Sequence, residues 1–378
     1  MRSLFEVLRG KKIVCCVGSG GVGKTTTAAA IAMKAAADGK RTLVLTIDPA
    51  RRLANSLGLH ELGNEETRIE PSLFAKAGIT PRGEMWAMML DLKHTWDELV
   101  RRQARTPQQA EAILGNKLYQ TLSTVMAGSL EYMAMEKVYE VSASGRYDLV
   151  VLDTPPTSNA LDFLHAADRI LDVLDNNAMK LLLGPLMKAG RVGFKLFAAP
   201  ASLVLRTLAR FTGADFLRDL AAFMGAFEGM YEGFKERATN VKRLLQSREA
   251  AFVLVTSPNP LTISEALFFH GTLKADGIET AAVIVNRVQR DPRRHGGAVS
   301  LEQIREALQL AQIEDHGLSD RLCTTLTEQS TLADLDRREV DRLRPTLGTV
   351  PLYVVPRLRK DVHDLTGLWQ IDEYLERA

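Results

Sequence analysis

The chain has 378 residues, of which 46% are hydrophobic and 25% are charged, and its formal net charge is +2. This composition is that of a globular protein with a large core, and it excludes disordered and fibrous classes of protein. The near-neutral charge gives no indication of a nucleic-acid partner. The chain has three cysteines, a number that fits a reducing compartment. They form no C-x-x-C pair, so the sequence indicates no zinc site.

The N-terminal residues Met1 to Glu6 lack the apolar segment of a signal peptide. We therefore expect a cytoplasmic protein. The stretch from Asn176 to Ala214 combines leucines and phenylalanines with lysines and arginines, and it contains no acidic residue. It is too short in apolar residues to span a bilayer, so a position at the periphery of a membrane is the alternative expectation.

The most specific motif lies near the start of the chain. An apolar run from Ile13 to Val17 predicts a strand, and an alanine-rich helix is predicted from Thr26 to Ala37. Between them the spacing G-x-x-x-x-G-K-T is typical of a phosphate-binding loop, whose N–H groups and following helix N-terminus bind phosphate oxygens. The predicted nucleotide-binding residues are Gly18, Ser19, Gly20, Gly21, Val22, Gly23, Lys24, Thr25 and Thr26.

Two side chains of this loop have predicted roles in phosphate chemistry. Lys24 is expected to reach the β- and γ-phosphates and to act in catalysis, and the Thr25 hydroxyl is expected to be a ligand of Mg²⁺. Asp153 follows the apolar strand from Tyr147 to Leu152, the position of a Walker-B carboxylate that holds Mg²⁺. The loop and this carboxylate together predict ATP and Mg²⁺ as the cofactors.

A further carboxylate, Asp48, comes directly after the second apolar strand, Arg41 to Ile47. Ligands of parallel sheets bind at the carboxyl ends of the strands, so Asp48 is a candidate site residue and a third candidate ligand of Mg²⁺.

The remaining chain alternates between apolar runs and helical periodicity, which predicts a doubly wound, mostly parallel α/β sheet. The later strands are predicted at Ala251 to Thr256, Ala281 to Val285 and Pro351 to Pro356, with a helix from Leu261 to Ala275. The pattern is helical from about Trp86 to Val141 and from Asp215 to about Gln246. We predict a single P-loop ATPase domain over residues 1–378, with a helical subdomain inserted at about 82–142 and 176–247.

Four segments in this order resemble the arsenical-pump ATPase family, which also contains the ATPase that targets tail-anchored membrane proteins. They are the loop Gly18 to Thr25, Asp48-Pro49-Ala50, Asp153-Thr154-Pro155-Pro156-Thr157 and Val285-Asn286-Arg287. The resemblance implies ATP hydrolysis by a dimer. It also implies that Asp48 orients the attacking water, that Asp153 supports Mg²⁺, and that Asn286, helped by the loop after Pro356, reads the adenine edge.

The chain departs from this family at Ser19, where the family usually has a lysine that reaches across the dimer to the phosphates of the partner. Serine supplies no positive charge. Our hypothesis is that Arg51 or Arg52 supplies an arginine-finger charge instead, and the alternative is that both arginines are solvated or paired with surface carboxylates. Cys15 and Cys16 are expected to be buried in the first strand, which makes the ATPase subunit of an arsenite pump the least favoured reading.

Two partner classes remain open from the sequence. The expected assembly is a homodimer, or a heterodimer with a paralogous ATPase that brings the missing lysine. In one reading the client is a hydrophobic protein segment bound to a methionine-rich surface, because methionine adapts to varied partners. The alternative for the methionines is that they belong to the core. The alternative function is that of a regulatory ATPase on a membrane protein or a membrane. The methionines concerned are Met85, Met88, Met89, Met126, Met133 and Met135.

Overall fold

A computed structural model describes residues 2–48, 51–125, 129–155, 165, 231–292, 301–313 and 317–376. In these ranges eight strands form one sheet in the order β3-β4-β2-β5-β1-β6-β7-β8. The strands are β1 (Ile13–Val17), β2 (Arg41–Thr46), β3 (Thr67–Arg68), β4 (Glu84–Met89), β5 (Leu149–Asp153), β6 (Ala250–Thr256), β7 (Thr280–Val288) and β8 (Leu352–Pro356). All neighbouring strands are parallel except β3 and β4. The predicted doubly wound α/β fold is confirmed.

Helices cover both faces of this sheet. In the described ranges they are α1 (Leu4–Val7), α2 (Lys24–Ala37), α3 (Arg52–Leu57), α4 (Pro71–Lys76), α5 (Leu92–Gln103), α6 (Pro107–Leu114), α7 (Lys117–Val125), α8 (Ser129–Ala143), α9 (Tyr231–Leu245), α10 (Pro260–Ala275), α11 (Leu301–Leu310), α12 (Leu318–Leu347) and α13 (Leu365–Glu376). Because both faces are covered, the side chains of a central strand are buried on both sides. In β1, Ile13 and Cys15 pack into the core on one face of the sheet, and Val14 and Cys16 pack into the core on the other. A strand buried on both faces reads as a continuous apolar run, which explains the sequence of β1.

The helix α2 lies against the sheet directly behind the phosphate-binding loop. Its inward positions are small, and Ala28, Ala29, Ala32 and Ala36 are fully buried. Small side chains let a helix approach a sheet closely and leave room for a second helix on its outer side, here α13. The alanine content of α2 is therefore explained by close packing on two sides.

One prediction of secondary structure is wrong. Residues 84–89 form β4, which pairs with β2, whereas the sequence pattern predicted a helix from Trp86. Met85, Ala87 and Met89 contact the core on one face of the sheet, and Trp86 and Met88 contact the other, which is the period-2 pattern of a buried strand. The helices of this part of the chain begin at Leu92, which lies beyond the lower boundary of about 82 predicted for the first helical insertion.

The methionine-rich surface is not found at the described positions. Four of these methionines are at most 1% exposed and belong to the core. They are Met85, Met88, Met133 and Met135. The alternative reading, that these methionines pack in the core, is confirmed for them. Met126 and most of the predicted second insertion, including the basic stretch 176–214, lie outside the described residues.

The two edges of the sheet differ from its centre. The strand β3 pairs antiparallel with β4 over two residues, Thr67 and Arg68. The strand β8 has five residues, is preceded by Pro351 and ends at Pro356.

No helix among the described residues is both long enough and apolar enough to cross a membrane.

Candidate nucleotide site

The phosphate-binding loop lies at the carboxyl end of β1, between β5 and β6 at the centre of the sheet. The loop passes so close to β6 that a Cβ atom at Gly18 would lie 1.9 Å from the Val255 carbonyl oxygen. Gly21 and Gly23 have φ angles of 76° and 100°, a region that L side chains rarely adopt. These glycines are therefore required by the geometry of the loop.

Lys24, the first residue of α2, is buried, and its Nζ donates to the Ser19 carbonyl oxygen at 2.8 Å. This contact folds the lysine back along the loop. Burial lowers the pKa of Lys24, and the carboxylates of Asp153 and Asp48 oppose that effect. The ammonium group is therefore held in a partly desolvated position, where its attraction for an anion is stronger than in water.

Asp153 is the last residue of β5 and is 1% exposed. Its Oδ2 accepts a hydrogen bond of 2.8 Å from the Thr46 hydroxyl, and its Oδ1 has no hydrogen-bond partner among the described residues. Burial raises the pKa of Asp153 to about 6, while the hydroxyls of Thr25 and Thr46 and the charge of Lys24 oppose the rise. A buried, unpartnered carboxylate oxygen beside a threonine hydroxyl fits a hard cation or one of its waters.

Asp48 lies two residues beyond the end of β2, and its backbone N–H donates to the Thr46 hydroxyl at 3.2 Å. One of its oxygens lies 3.6 Å from Nη1 of Arg52. Arg51 lies elsewhere: its guanidinium is 3.5 Å from Glu61, and the two side chains are 66% and 75% exposed. The structure therefore brings Arg52 next to Asp48 and turns Arg51 toward the surface.

Ser19 is buried, and its hydroxyl donates to Oε2 of Glu265 on α10. The position that carries a lysine in the resembling family thus holds a hydroxyl bonded to a carboxylate. Glu265 was not predicted as part of this site, because it lies 246 residues away in the sequence and no motif surrounds it.

The end of β7 contacts the loop from the other side. The Asn286 amide nitrogen donates to the Val22 carbonyl at 2.9 Å, and Nη1 of Arg287 donates to the Gly21 carbonyl at 2.8 Å. The Asn286 Oδ1 accepts from the Arg287 backbone N–H. Asn286 therefore lies at the loop, while Pro356 ends the neighbouring strand β8, where it pairs with Val288.

Several of these groups line a cavity of about 330 Å³. The residues predicted from the sequence that line it are Gly21, Gly23, Lys24, Thr25, Thr26, Asp48 and Arg52. The predicted residues that are not in its lining are Gly18, Ser19, Gly20, Val22, Arg51, Asp153, Asn286 and Pro356. The sequence analysis missed several lining residues that come from α3, from the end of β5, from the end of β7 and from the segment before α13. They are Asn55, Ser56, Thr154, Arg287, Val362 and His363.

A glycine loop between a central parallel strand and a helix, with carboxylates at the ends of the two neighbouring strands on one side, defines a P-loop nucleotide-binding fold. The family model of the anion-transporting ATPases matches residues 11–316. The chain belongs to this family, which confirms the resemblance found in the sequence.

The chain is also similar to individual proteins, and the sequence identities of three of them follow. The chain is 32% identical over 181 residues to a "Putative arsenical pump-driving ATPase" of Prosthecochloris vibrioformis, an alignment that covers 47% of this chain and 41% of the relative. It is 26% identical over 351 residues to "ATPase GET3B" of Arabidopsis thaliana, covering 86% of this chain and 75% of the relative. It is 25% identical over 300 residues to "ATPase GET3" of Malassezia globosa, covering 79% and 78%.

Proposed function

We propose that the protein is a Mg²⁺-dependent ATPase that works as a dimer and couples its nucleotide state to a protein partner or a hydrophobic client. The observation that carries the proposal is that Lys24 and Asp48 line the cavity around the glycine loop, while the buried Asp153 is joined to Asp48 through the Thr46 hydroxyl. Family membership supports ATP as the substrate. Cys15 and Cys16 are fully buried, and burial raises the pKa of the Cys15 thiol to about 12, which disfavours arsenite as the effector.

The residues have separate roles in the proposed reaction. Lys24 and the loop N–H groups bind the phosphates, and Thr25 and Asp153 hold Mg²⁺, with Asp48 nearby. Bound Mg²⁺ neutralises the charge that develops on the phosphate oxygens. Asp48 orients a water that attacks the γ-phosphorus. The bond to the bridging oxygen breaks, ADP leaves with the electron pair, and the proton of the water passes to the phosphate product. Asn286 acts on the nucleotide through its hydrogen bond to the Val22 carbonyl of the loop, and the loop after Pro356, which contains the lining residues Val362 and His363, positions the adenine.

The face of α10 next to Ser19 supports a dimer. Leu261 and Phe268 are 67% and 65% exposed, and they are seven residues apart, which places them on one face of the helix two turns apart. Glu265 lies between them and holds the Ser19 hydroxyl. We propose that a second ATPase subunit, either a second copy or a paralogue, covers this face beside the nucleotide.

The first experiment separates binding from hydrolysis at the proposed site. Lys24→Ala is expected to lose both nucleotide binding and turnover. Asp48→Asn is expected to retain ATP binding and to lose at least about 100-fold in kcat, because only the step at the γ-phosphate depends on the oriented water. Wild-type turnover in Asp48→Asn, or in Lys24→Ala, would contradict the proposal.

The second experiment measures the ATPase rate per subunit against the concentration of the chain. A homodimer predicts a steep rise, and Leu261→Ser with Phe268→Ser should shift that rise to higher concentration. Leu310→Ser on α11 is the matched control, because Leu310 is 86% exposed and lies on another helix. A chain that binds Mg-ATP but hydrolyses none at any concentration would contradict a homodimer and would favour a second, different subunit.

A further inference from the structure

The outer side of the phosphate-binding loop is held by two consecutive residues at the end of β7. Asn286 donates to the Val22 carbonyl at 2.9 Å, and Arg287 donates to the Gly21 carbonyl at 2.8 Å. The contacts are long-range, since the residues are separated by 264 and 266 positions in the sequence. Two neighbouring carbonyls of the loop are thus fixed by two neighbouring side chains of one strand.

A bond to a carbonyl also determines where the next N–H points. In a trans peptide the carbonyl of one residue and the N–H of the following residue lie in one plane and point in opposite directions, and the described residues contain no cis peptide bond. Holding the Gly21 carbonyl therefore directs the Val22 N–H away from Arg287. Holding the Val22 carbonyl directs the Gly23 N–H away from Asn286.

The two N–H groups are available for a ligand. Within the described part of the chain, neither the Val22 nor the Gly23 N–H donates to a protein acceptor. Val22 is 2% exposed. Gly23 is only partly buried. Because buried N–H groups are satisfied in nearly all proteins, a buried N–H without an acceptor, followed by a second one at a helix N-terminus, points to an anion.

The surroundings of the Arg287 guanidinium fit this arrangement. It donates to the Gly21 carbonyl, and no ion pair with a carboxylate of the described ranges is formed by it. Arg52, by contrast, faces Asp48 at 3.6 Å. Arg287 also has a φ of 62°, a region that non-glycine residues seldom adopt, and this backbone conformation turns its side chain back over the loop and into the lining of the cavity.

We infer that Arg287 is a positioning residue of the nucleotide site, which aims the Val22 N–H at a phosphate through its bond to the Gly21 carbonyl. The inference rests on the proposed function, because it takes ATP and ADP as the ligands. Since the loop contacts phosphates present in both nucleotides, Arg287 acts on the binding of ATP and ADP alike. An arginine that touched the γ-phosphate in the transition state would act on kcat instead.

The test measures the Kd of Mg-ADP and of a non-hydrolysable Mg-ATP analogue, together with kcat and KM for ATP. Arg287→Ala is expected to raise both Kd values and KM by about tenfold, the effect of one lost charged hydrogen bond at an exposed site, and to change kcat less than threefold. Arg287→Lys keeps one donor, so its Kd and KM values are expected to lie between those of the wild type and those of Arg287→Ala. Arg344→Ala is the control, because Arg344 is an exposed arginine on α12 paired with Asp341.

A second variant separates the side chain from the backbone. Arg287→Gly permits the φ of 62° and removes the guanidinium, so it should bind as weakly as Arg287→Ala. Wild-type affinity in Arg287→Gly, unchanged Kd values in Arg287→Ala, or a hundredfold loss of kcat with unchanged ADP affinity would each overturn the inference. If wild-type protein binds no Mg-ADP, the proposed function itself fails, and that result is distinguishable from a failure of Arg287 alone.

Discussion

At the scale of single residues, the two arginines that follow Asp48 are adjacent in sequence and different in position. Arg52 lines the cavity and lies 3.6 Å from Asp48. Arg51 faces Glu61 at 3.5 Å, with both side chains more than half exposed. An exposed ion pair of this kind contributes little free energy, about 0 to 1 kcal/mol. Of the two candidates for an arginine-finger charge, the geometry favours Arg52.

Arg52→Ala is therefore expected to lower kcat at saturating ATP by at least about tenfold, within the range known for arginines that stabilise phosphoryl transfer. Arg51→Ala is expected to stay within twofold of wild type, because its side chain lies outside the cavity. Steady-state ATPase assays of both purified variants provide the measurement. Full turnover in both variants would refute the hypothesis that Arg51 or Arg52 supplies this charge.

At the scale of elements, the contact between α2 and α13 contains a carboxyl group in an apolar setting. Asp372 on α13 is 1% exposed, and neither of its oxygens has a hydrogen-bond partner among the described residues. Burial raises the pKa of Asp372 well above its ordinary value of 3.8; Lys34 opposes the rise, and Glu376 and Asp38 add to it. Lys34 is already engaged by Asp38 and Glu376, so Asp372 is held as the neutral acid.

The sign of the resulting pH dependence follows from linkage. Above pH 3.8 the unfolded chain releases the proton of Asp372 while the folded chain keeps it, so the free energy of unfolding falls as the pH rises above that value. This contribution amounts to up to about 1.4 kcal/mol per pH unit. Asp372→Asn is expected to remove it, and denaturant unfolding between pH 4 and pH 8 measures the difference in slope.

The matched control for this prediction is Glu373→Gln. Glu373 is the next residue on α13 and is exposed, so the variant removes one carboxylate without touching the buried contact. Parallel pH profiles for wild type and Asp372→Asn would show that Asp372 is charged or hydrated in the folded protein. The same profile in Glu373→Gln as in Asp372→Asn would also contradict the assignment.

At the scale of the whole molecule, the bond between Ser19 and Glu265 bears on assembly. The nucleotide side of the loop and the exposed face of α10 are joined at this bond. A lysine placed at position 19 in a single variant would lie beside the Glu265 carboxylate and pair with it. The positive charge would then be held within its own subunit and would not be available to a neighbouring one.

Ser19→Lys alone is therefore expected to leave turnover within about twofold of wild type. Combined with Glu265→Ala, the lysine is released, and kcat is expected to rise at least about tenfold with a steeper dependence on protein concentration. The measurement is the ATPase rate across a concentration series, with Glu265→Ala alone as the control. An equal gain from Ser19→Lys with and without Glu265→Ala would contradict the role given to Glu265.

The parts of the site that the sequence predicted lie at the carboxyl end of a strand or within two residues of it. Asp153 ends β5, and Asp48 follows β2 by two residues, so the rule that ligands bind at the carboxyl ends of parallel strands was sufficient to find them. The loop was predicted for the same reason, with its spacing as additional support.

The parts that the sequence did not predict depend on contacts between distant segments. Glu265, Arg287 and His363 reach the site from α10, from the end of β7 and from the segment before α13. No local pattern distinguishes Glu265 and His363 from other polar residues, and Arg287 belongs to the segment Val285-Asn286-Arg287 without a role predicted for it from the sequence. The error at β4 has another cause: Met85 to Met89 is rich in methionine, a good helix former, and the burial of the strand on both faces overrode that propensity.

The two ends of the sheet have a consequence for solubility at high concentration. An unpaired strand edge is a template for pairing with another chain and hence for aggregation. On one side the outermost strand of the described residues is β3, which has two residues. On the other side β8 is bounded by Pro351 and Pro356, which have no N–H to donate. Among the described residues, the outermost strand on one side is therefore very short and the one on the other side is bounded by prolines, two features that oppose pairing with the strand of a neighbouring molecule.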